Sequence, residues 1–236
     1  MKVLVVGASG ATGRLLVEQL LSHNIHVNAI VRSTDALPDK PHLTKIEASV
    51  HSLSASAMAA HVKGCDGVIS CLGHNLNFKG LFGKPRLLVT ETLQCICAAI
   101  QSLGGDKPVK VILMNTTGNS NRDIPEKIPL SQRIVVGLLR VLLPPHVDNE
   151  KAADFLRTDI GQQNKAIEWV AIRPDALTNE DEVSPYTLHP SPIRNPIFDS
   201  GATSRINVAH LMKALIVDDD IWQQWQGQMP VIYNDV

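Results

Sequence analysis

The sequence predicts an α/β fold: a doubly wound parallel sheet in a single domain spanning residues 1–236. Three observations predict it. Short apolar stretches rich in β-branched residues alternate with segments of helical periodicity along the chain. The first of them, "VLVV", runs into "GASGATG", and a helical pattern begins at once. The chain of 236 residues is long enough to bury most of its unfolded surface in one large domain. Strands joined through helices take right-handed crossovers, and such crossovers make the strands parallel.

Val3–Val6 reads as a buried strand, and "ATGRLLVEQLLSH" after it carries apolar residues at helical spacing. "HVNAIVR" is the second strand, "LTKIEA" the third and "DGVISCL" the fourth. "PRLLVTETLQCICAAIQSLGG" is a long helix stopped by glycine. "VKVILMN" makes a fifth strand and "IEWVAIRP" a sixth, with a helix from about Val147 to Asn164 between them. "INVAHLMKALIV" is an amphipathic helix, and "MPVIYN" a last strand. Ligands of such sheets sit outside the carboxyl ends of the strands, where strand order reverses. Those ends are Gly7–Gly13, Arg32, Ser49, Cys71–His74, Asn115–Thr117 and Arg173–Ala176. Residues 178–205 are rich in proline and polar side chains and lack periodicity, so a long loop covering the mouth of the site is expected.

Gly7, Gly10 and Gly13 have separate tasks in a phosphate-binding turn. The first permits the tight turn, the second lets backbone approach a pyrophosphate, and the third lets helix pack on strand. Amides at the start of the helix, around Ala11, and the helix dipole hold the negative charge. Ser9 and Thr12 add hydroxyl donors. A strand that binds NAD ends in an acid that chelates the ribose hydroxyls. This second strand ends instead in Arg32, with Ser33 and Thr34 beside it, and Asp35 comes too late. A guanidinium there matches a 2′-phosphate by bidentate hydrogen bonds, so the cofactor is expected to be NADP(H). Arg14, in the first helical turn, is a second candidate for that phosphate.

A formal net charge of −1 gives no basic surface for nucleic acid. Cys65, Cys71, Cys95 and Cys97 have neither metal-ligand nor disulfide spacing and read as buried, reduced thiols of a cytosolic protein. The chain begins with a strand rather than a signal peptide, and its longest apolar run, "IVVGLLRVLLPP", is too short to span a bilayer. That run reads equally as a dimer surface, a substrate wall or core packing. His51, His61 and His189 lack metal-ligand partners in the sequence, and Asn179–Glu182 reads as a solvated face. His74 reads either as facing substrate or as a loop histidine in water. A cytoplasmic monomer or homodimer acting on a small molecule, without nucleic acid or membrane, is the expectation.

"VVGASGATGR", "IVRS", "GVISCLG", "KVILMNTT", "EKAADFLR", "EWVAIRP" and "SRINVAHLMKAL" resemble, in this order, the extended and atypical short-chain dehydrogenase/reductases. The resemblance covers nearly the whole chain, and is strongest to the NmrA-like NAD(P)-binding proteins and the biliverdin reductase B/flavin reductase group. It implies a Rossmann fold. It also implies that Cys71, Leu72 and Gly73 run along the adenosine and pyrophosphate, with Asn115 among the cofactor contacts. Ser49, where the family has an acid, and Val50 would flank the adenine, and Pro174 to Leu177 would pass the nicotinamide. In the wider superfamily's active centre, Thr116 fits the Ser/Thr position, with Thr117 as alternate, and Lys151 fits the lysine that holds the nicotinamide ribose. The tyrosine four residues before that lysine is Val147 here. His146 is adjacent, but one step along a helix turns a side chain about 100°. Without that acid, the resemblance implies hydride transfer to a flavin, a quinone or a similar conjugated acceptor. The alternative is an NADPH-sensing regulatory protein without turnover.

Overall fold

The computed structural model describes residues 1–74 and 81–235. Its elements in chain order are β1 (Lys2–Val6), α1 (Ala11–Ser22), β2 (His26–Val31), β3 (Leu43–Glu47), α2 (Ala55–Val62), β4 (Gly67–Ser70) and α3 (Leu88–Leu103). There follow β5 (Val109–Met114), α4 (Leu130–Leu142), α5 (Pro144–Asp154), continued by a π-helical turn at Phe155–Ile160, and β6 (Ile167–Pro174). The chain ends through β7 (Ala176–Thr178), β8 (Tyr186–His189), β9 (Ala202–Ser204), α6 (Arg205–Val217), α7 (Asp219–Trp225) and β10 (Val231–Asn234).

Val3–Val6 of β1 are fully buried because helices cover both faces of the sheet, which is why the strand reads as one continuous apolar run. Strand order is β3-β2-β1-β4-β5-β6-β10-β8, and every pairing is parallel except that of β8 with β10. The order reverses between β1 and β4, where Val6 lies opposite Ser70. One core packs α1, α6 and α7 against the sheet through Leu16, Leu20, Leu211, Leu215 and Trp222. The other packs α2, α3 and α5 through Met58, Leu93, Ile96, Ala152 and Leu156. Each such aliphatic side chain contributes about 1.5–3 kcal/mol by its burial.

The sequence expectations hold for β1 to β6, β10, α1, α3 and α6. Elsewhere the fold corrects them. Segment 178–205 is not an unbroken loop, because β8 pairs with β10 as an antiparallel edge and β9 pairs with β7. Those partners lie far away in sequence, beyond the reach of any local pattern. Helix α2 is short and rich in small residues, and the Ser54 hydroxyl caps it by accepting from the Ala57 amide. Helix α5 starts at Pro144, three residues earlier than expected, with proline in its first turn.

"IVVGLLRVLLPP" is not core. It falls mostly in α4, where Gln132 and Val136 are buried while Leu130, Ile134, Leu138, Val141 and Leu142 form an exposed stripe. No helix among the described residues is long and apolar enough to cross a membrane. The cysteines are free thiols, and burial pushes Cys71 and Cys97 up to about 12, where they stay protonated.

Candidate functional site

In the turn after β1, Gly7 and Gly13 show the tight turn and the close helix–strand packing expected of them. Gly7 takes φ +74°, and a β-carbon on it would stand 2.7 Å from the Cys71 carbonyl, so the β1 and β4 ends lie against each other. A β-carbon on Gly13 would overlap the Gly7 carbonyl oxygen, so only glycine lets α1 start so close to the strand. Gly10 differs. Its β-carbon would meet nothing nearer than Gly7 O at 3.2 Å, and the residue is exposed. No side chain caps α1, whose first helical bond runs from Arg14 N to Gly10 O. The amides of Ala11, Thr12 and Gly13 are therefore left to a ligand, with the positive end of the helix behind them. These residues fit a pyrophosphate, in a cradle that a side chain on Gly10 would fill. Ser9 is half-buried at its edge, and Thr12 is buried.

Around this turn stand the other groups expected on the adenosine side. Arg32 and Arg14 are exposed and form no ion pair among the described residues, so both guanidinium groups can meet an anion. Ser33 is exposed and caps the short turn Thr34–Ala36. The Thr34 amide donates to Glu47 at the end of β3, so a carboxylate is present on the neighbouring strand rather than on β2. Ser49 contacts the His51 ring at 3.0 Å, and Val50 packs on the core below. Cys71 is buried with its thiol 3.7 Å from the Met212 sulfur, Leu72 packs on the opposite core, and Gly73 is exposed.

Across the switch point, β5 ends in Asn115, Thr116 and Thr117. Asn115 donates from its amide side chain to the Asn149 carbonyl, tying the strand end to α5. The Thr116 hydroxyl accepts from Gly118 N, which leaves its own proton free to donate. Thr117 is buried and donates to Asp175, a carboxyl that burial pushes up while the Gly201 amide and Thr117 hold it down. Thr116, not Thr117, is thus the hydroxyl at the strand end that a ligand can use. Lys151 is exposed on α5 and makes no hydrogen bond among the described residues. Pro174 is buried, its carbonyl accepting from Thr117 N.

One expectation on this side is corrected. His74 does not sit in water: its side chain is buried against Asp148 on α5, Nε2 to Oδ2 2.7 Å. Asp148, fully buried, also accepts from the Val89 and Thr90 amides and the Thr90 hydroxyl, a ring of donors that explains its burial. Residues 75–80 of the same loop lie outside the described residues. On the same helix, the His146 ring packs over Gly118 at the end of β5.

Arg173 went unrecognised in the sequence as anything but a strand end. It is wholly buried, ion-paired to Glu126 at 2.7 Å, and donates to the carbonyls of Asn119, Met229 and Pro190. One guanidinium thus joins β6, the turn after β5 and segment 178–205. Burial pushes the Glu126 carboxyl up, and Arg173 opposes that. A buried arginine announces itself only by its position inside an apolar strand.

Two shallow clefts, one lined by Lys63, Gly64 and Gly104 and the other by Met1, His26 and Asp66, open at the amino-terminal edge of the sheet. They gather no reactive constellation, and the strand order puts the ligand at the opposite edge. Among the described residues no three His, Cys, Asp or Glu side chains are placed to hold a metal.

A parallel sheet with its switch point at a glycine turn and an uncapped helix defines a dinucleotide-binding α/β protein of Rossmann type. The chain belongs to the NAD(P)H-binding family whose model matches residues 7–219. It is similar in fold to the oxidoreductase ylbE from Lactococcus lactis, at 18% identity and TM-score 0.71, covering 100% of this chain and 91% of that one. It is similar also to SP1627 of Streptococcus pneumoniae, provisionally designated an NADH-flavin reductase, at 18% identity, TM-score 0.66 and 100% of both chains. A third similar structure is a short-chain dehydrogenase/reductase from Veillonella parvula in complex with NADP, at 14% identity, TM-score 0.69, covering 99% and 94%. No curated protein matches the sequence.

Proposed function

We propose that the protein is an NADP(H)-dependent oxidoreductase that transfers hydride to a conjugated small-molecule acceptor, a flavin or a quinone. The observation that carries this reading is the uncapped start of α1 behind Gly10, a built cradle for a dinucleotide. Membership of an NAD(P)H-binding family supports a dinucleotide as the ligand of that cradle, and Arg32 supports the form with a 2′-phosphate. The reduced nicotinamide supplies a hydride when bound. This chain's share would be to hold cofactor and acceptor together: Gly10–Gly13 would bind the phosphates, Thr116 would orient the reacting end, and Lys151 would hold the ribose hydroxyls. Conjugated acceptors suit a site with Val147 in place of the usual tyrosine, because they spread the incoming charge over their own framework. The provisional name of one similar structure, an NADH-flavin reductase, supports the flavin acceptor, and the NADP bound to another supports the phosphorylated cofactor.

Val147 and the unpartnered Lys151 also favour a second reading, an NADPH-binding regulatory protein without turnover. Oxidation of NADPH and NADH followed with FMN, riboflavin, naphthoquinone and aldehydes separates the two. Turnover is expected with a flavin or quinone, faster with NADPH. Tight NADPH binding without oxidation by any acceptor would replace the enzyme by the sensor.

A further inference from the structure

Hydride addition to a quinone or enone leaves an electron pair on the carbonyl oxygen, and that oxygen needs a proton. The family's tyrosine is not there to give it. At the same strand end, however, Gly118 lacks a side chain, and the space a β-carbon would occupy is bordered by two polar groups. Thr116 Oγ1 lies 3.6 Å from that point, and the His146 ring lies at 3.6 Å through Cε1 and 3.8 Å through Nδ1. We propose that His146 is a catalytic residue of this site, the proton donor to the carbonyl oxygen of quinone and enone acceptors, with Thr116 as second donor to the same oxygen. The proposal rests on the oxidoreductase reading and narrows its substrate class.

The far side of the ring supports it. His146 Nε2 is buried without a hydrogen-bond partner among the described residues, 3.6 Å from Glu150 Oε1 one helical turn on. That distance is too long for a hydrogen bond, yet short for a charge pair. Glu150 in turn receives both Nε and Nη2 of Arg140 from α4, each at 2.8 Å. Burial pushes the Glu150 carboxyl up, but His146 and Arg140 outweigh it and hold it down at about 2. A carboxylate thus stands beside the ring nitrogen that is not the proposed donor. Among the described residues the charged groups beside His146 are Glu150 on its own helix and Arg140 on α4, whose charge is committed to Glu150. From the β5 side the ring borders the space over Gly118, which Thr116 also borders.

The helical turn that carries the ring is fixed in place. Two residues further along, Asp148 locks α5 to the start of α3 and to His74, and the Asn149 carbonyl holds Asn115. A donor carried on a turn held this firmly needs little backbone rearrangement when the acceptor arrives. The step balances. The conjugated carbon takes the hydride with its two electrons, the π electrons move onto the carbonyl oxygen, and that oxygen takes the proton from His146 Nδ1. The neutral ring regains a proton from water. A flavin, whose ring nitrogens exchange with solvent, does not need this donor.

The test uses the full chain with 1,4-naphthoquinone, 2-cyclohexenone and FMN as acceptors, and His146→Gln as the variant. Quinone and enone turnover should fall on the order of 100-fold, the lower range for a general acid, and FMN reduction much less. Wild-type quinone turnover should fall as pH rises, and the variant's should not. Independently of turnover, adding 1,4-naphthoquinone to the protein saturated with NADP+ should shift the His146 ring resonances. Ring resonances that naphthoquinone leaves unmoved, or a variant that reduces naphthoquinone as fast as wild type, overturn the proposal. Wild type that reduces FMN but no quinone or enone overturns it while leaving the oxidoreductase reading intact. Wild type that reduces nothing overturns both.

Discussion

On the β1–β2 side of the sheet the ligand-facing surface is mostly backbone, and on the β5–β6 side it is side chains held by other side chains. Gly7, Gly10 and Gly13 act by what they lack, and the amides behind them belong to whichever residues follow. Thr117 and Arg173 are held through contacts made across long stretches of chain. Arg173 alone reaches Asn119, Glu126, Pro190 and Met229. The two sides therefore break differently: a change on the first should remove ligand and spare the fold, whereas a change at the hub of the second should cost the fold itself.

The largest effect is expected at that hub. Arg173→Met leaves Glu126 buried without its cation, and removing one partner of a buried pair typically costs about 3–5 kcal/mol. Urea denaturation should show a loss of that size, and a second change, Glu126→Gln, should return part of it. Equal losses in the single and double variants would mean that the pair is not what holds the region together.

Next in size is Arg32→Ala, which should weaken NADPH by about 1.5–3 kcal/mol, the range for hydrogen bonds to charged groups, and leave NADH nearly untouched. Equal losses for both cofactors in calorimetry would remove the 2′-phosphate from Arg32 and turn attention to Arg14.

The smallest effect is a pH dependence. Glu150 is held at about 2, below its unfolded value of 4.5, so its stabilising share is complete above about pH 4.5 and is lost as pH falls toward 2. Thermal melts of wild type and Glu150→Gln should therefore differ at pH 6 and converge near pH 2.5. A gap that stays constant with pH would assign the effect of the substitution to packing instead.

The same contrast decides what could be read from the sequence. The glycine turn was legible because its physics is local: a positive φ at Gly7 and a close approach at Gly13 each demand glycine at a set spacing. Strands β1 to β6 were legible because burial on both faces makes an apolar run. Arg32 could be placed because it ends such a strand. The Arg173–Glu126 pair was not legible, since the two are brought together only when β6 lies beside the turn after β5. His74 could be read as facing substrate or water because its partner Asp148 arrives from α5. Strand β8 hid in a proline-rich segment because its ladder is made with β10.

The central claim is that a dinucleotide lies on the backbone at Gly10, and one titration tests it most directly. Gly10→Val puts a side chain into a space that the protein leaves open apart from Gly7 O at 3.2 Å, so the variant should fold and melt much as wild type does. Calorimetric titration with NADPH should give clear binding to wild type and none to this folded variant, because the side chain occupies the pyrophosphate's place. Unchanged NADPH affinity in Gly10→Val would contradict the claim and put the phosphates somewhere else on the molecule.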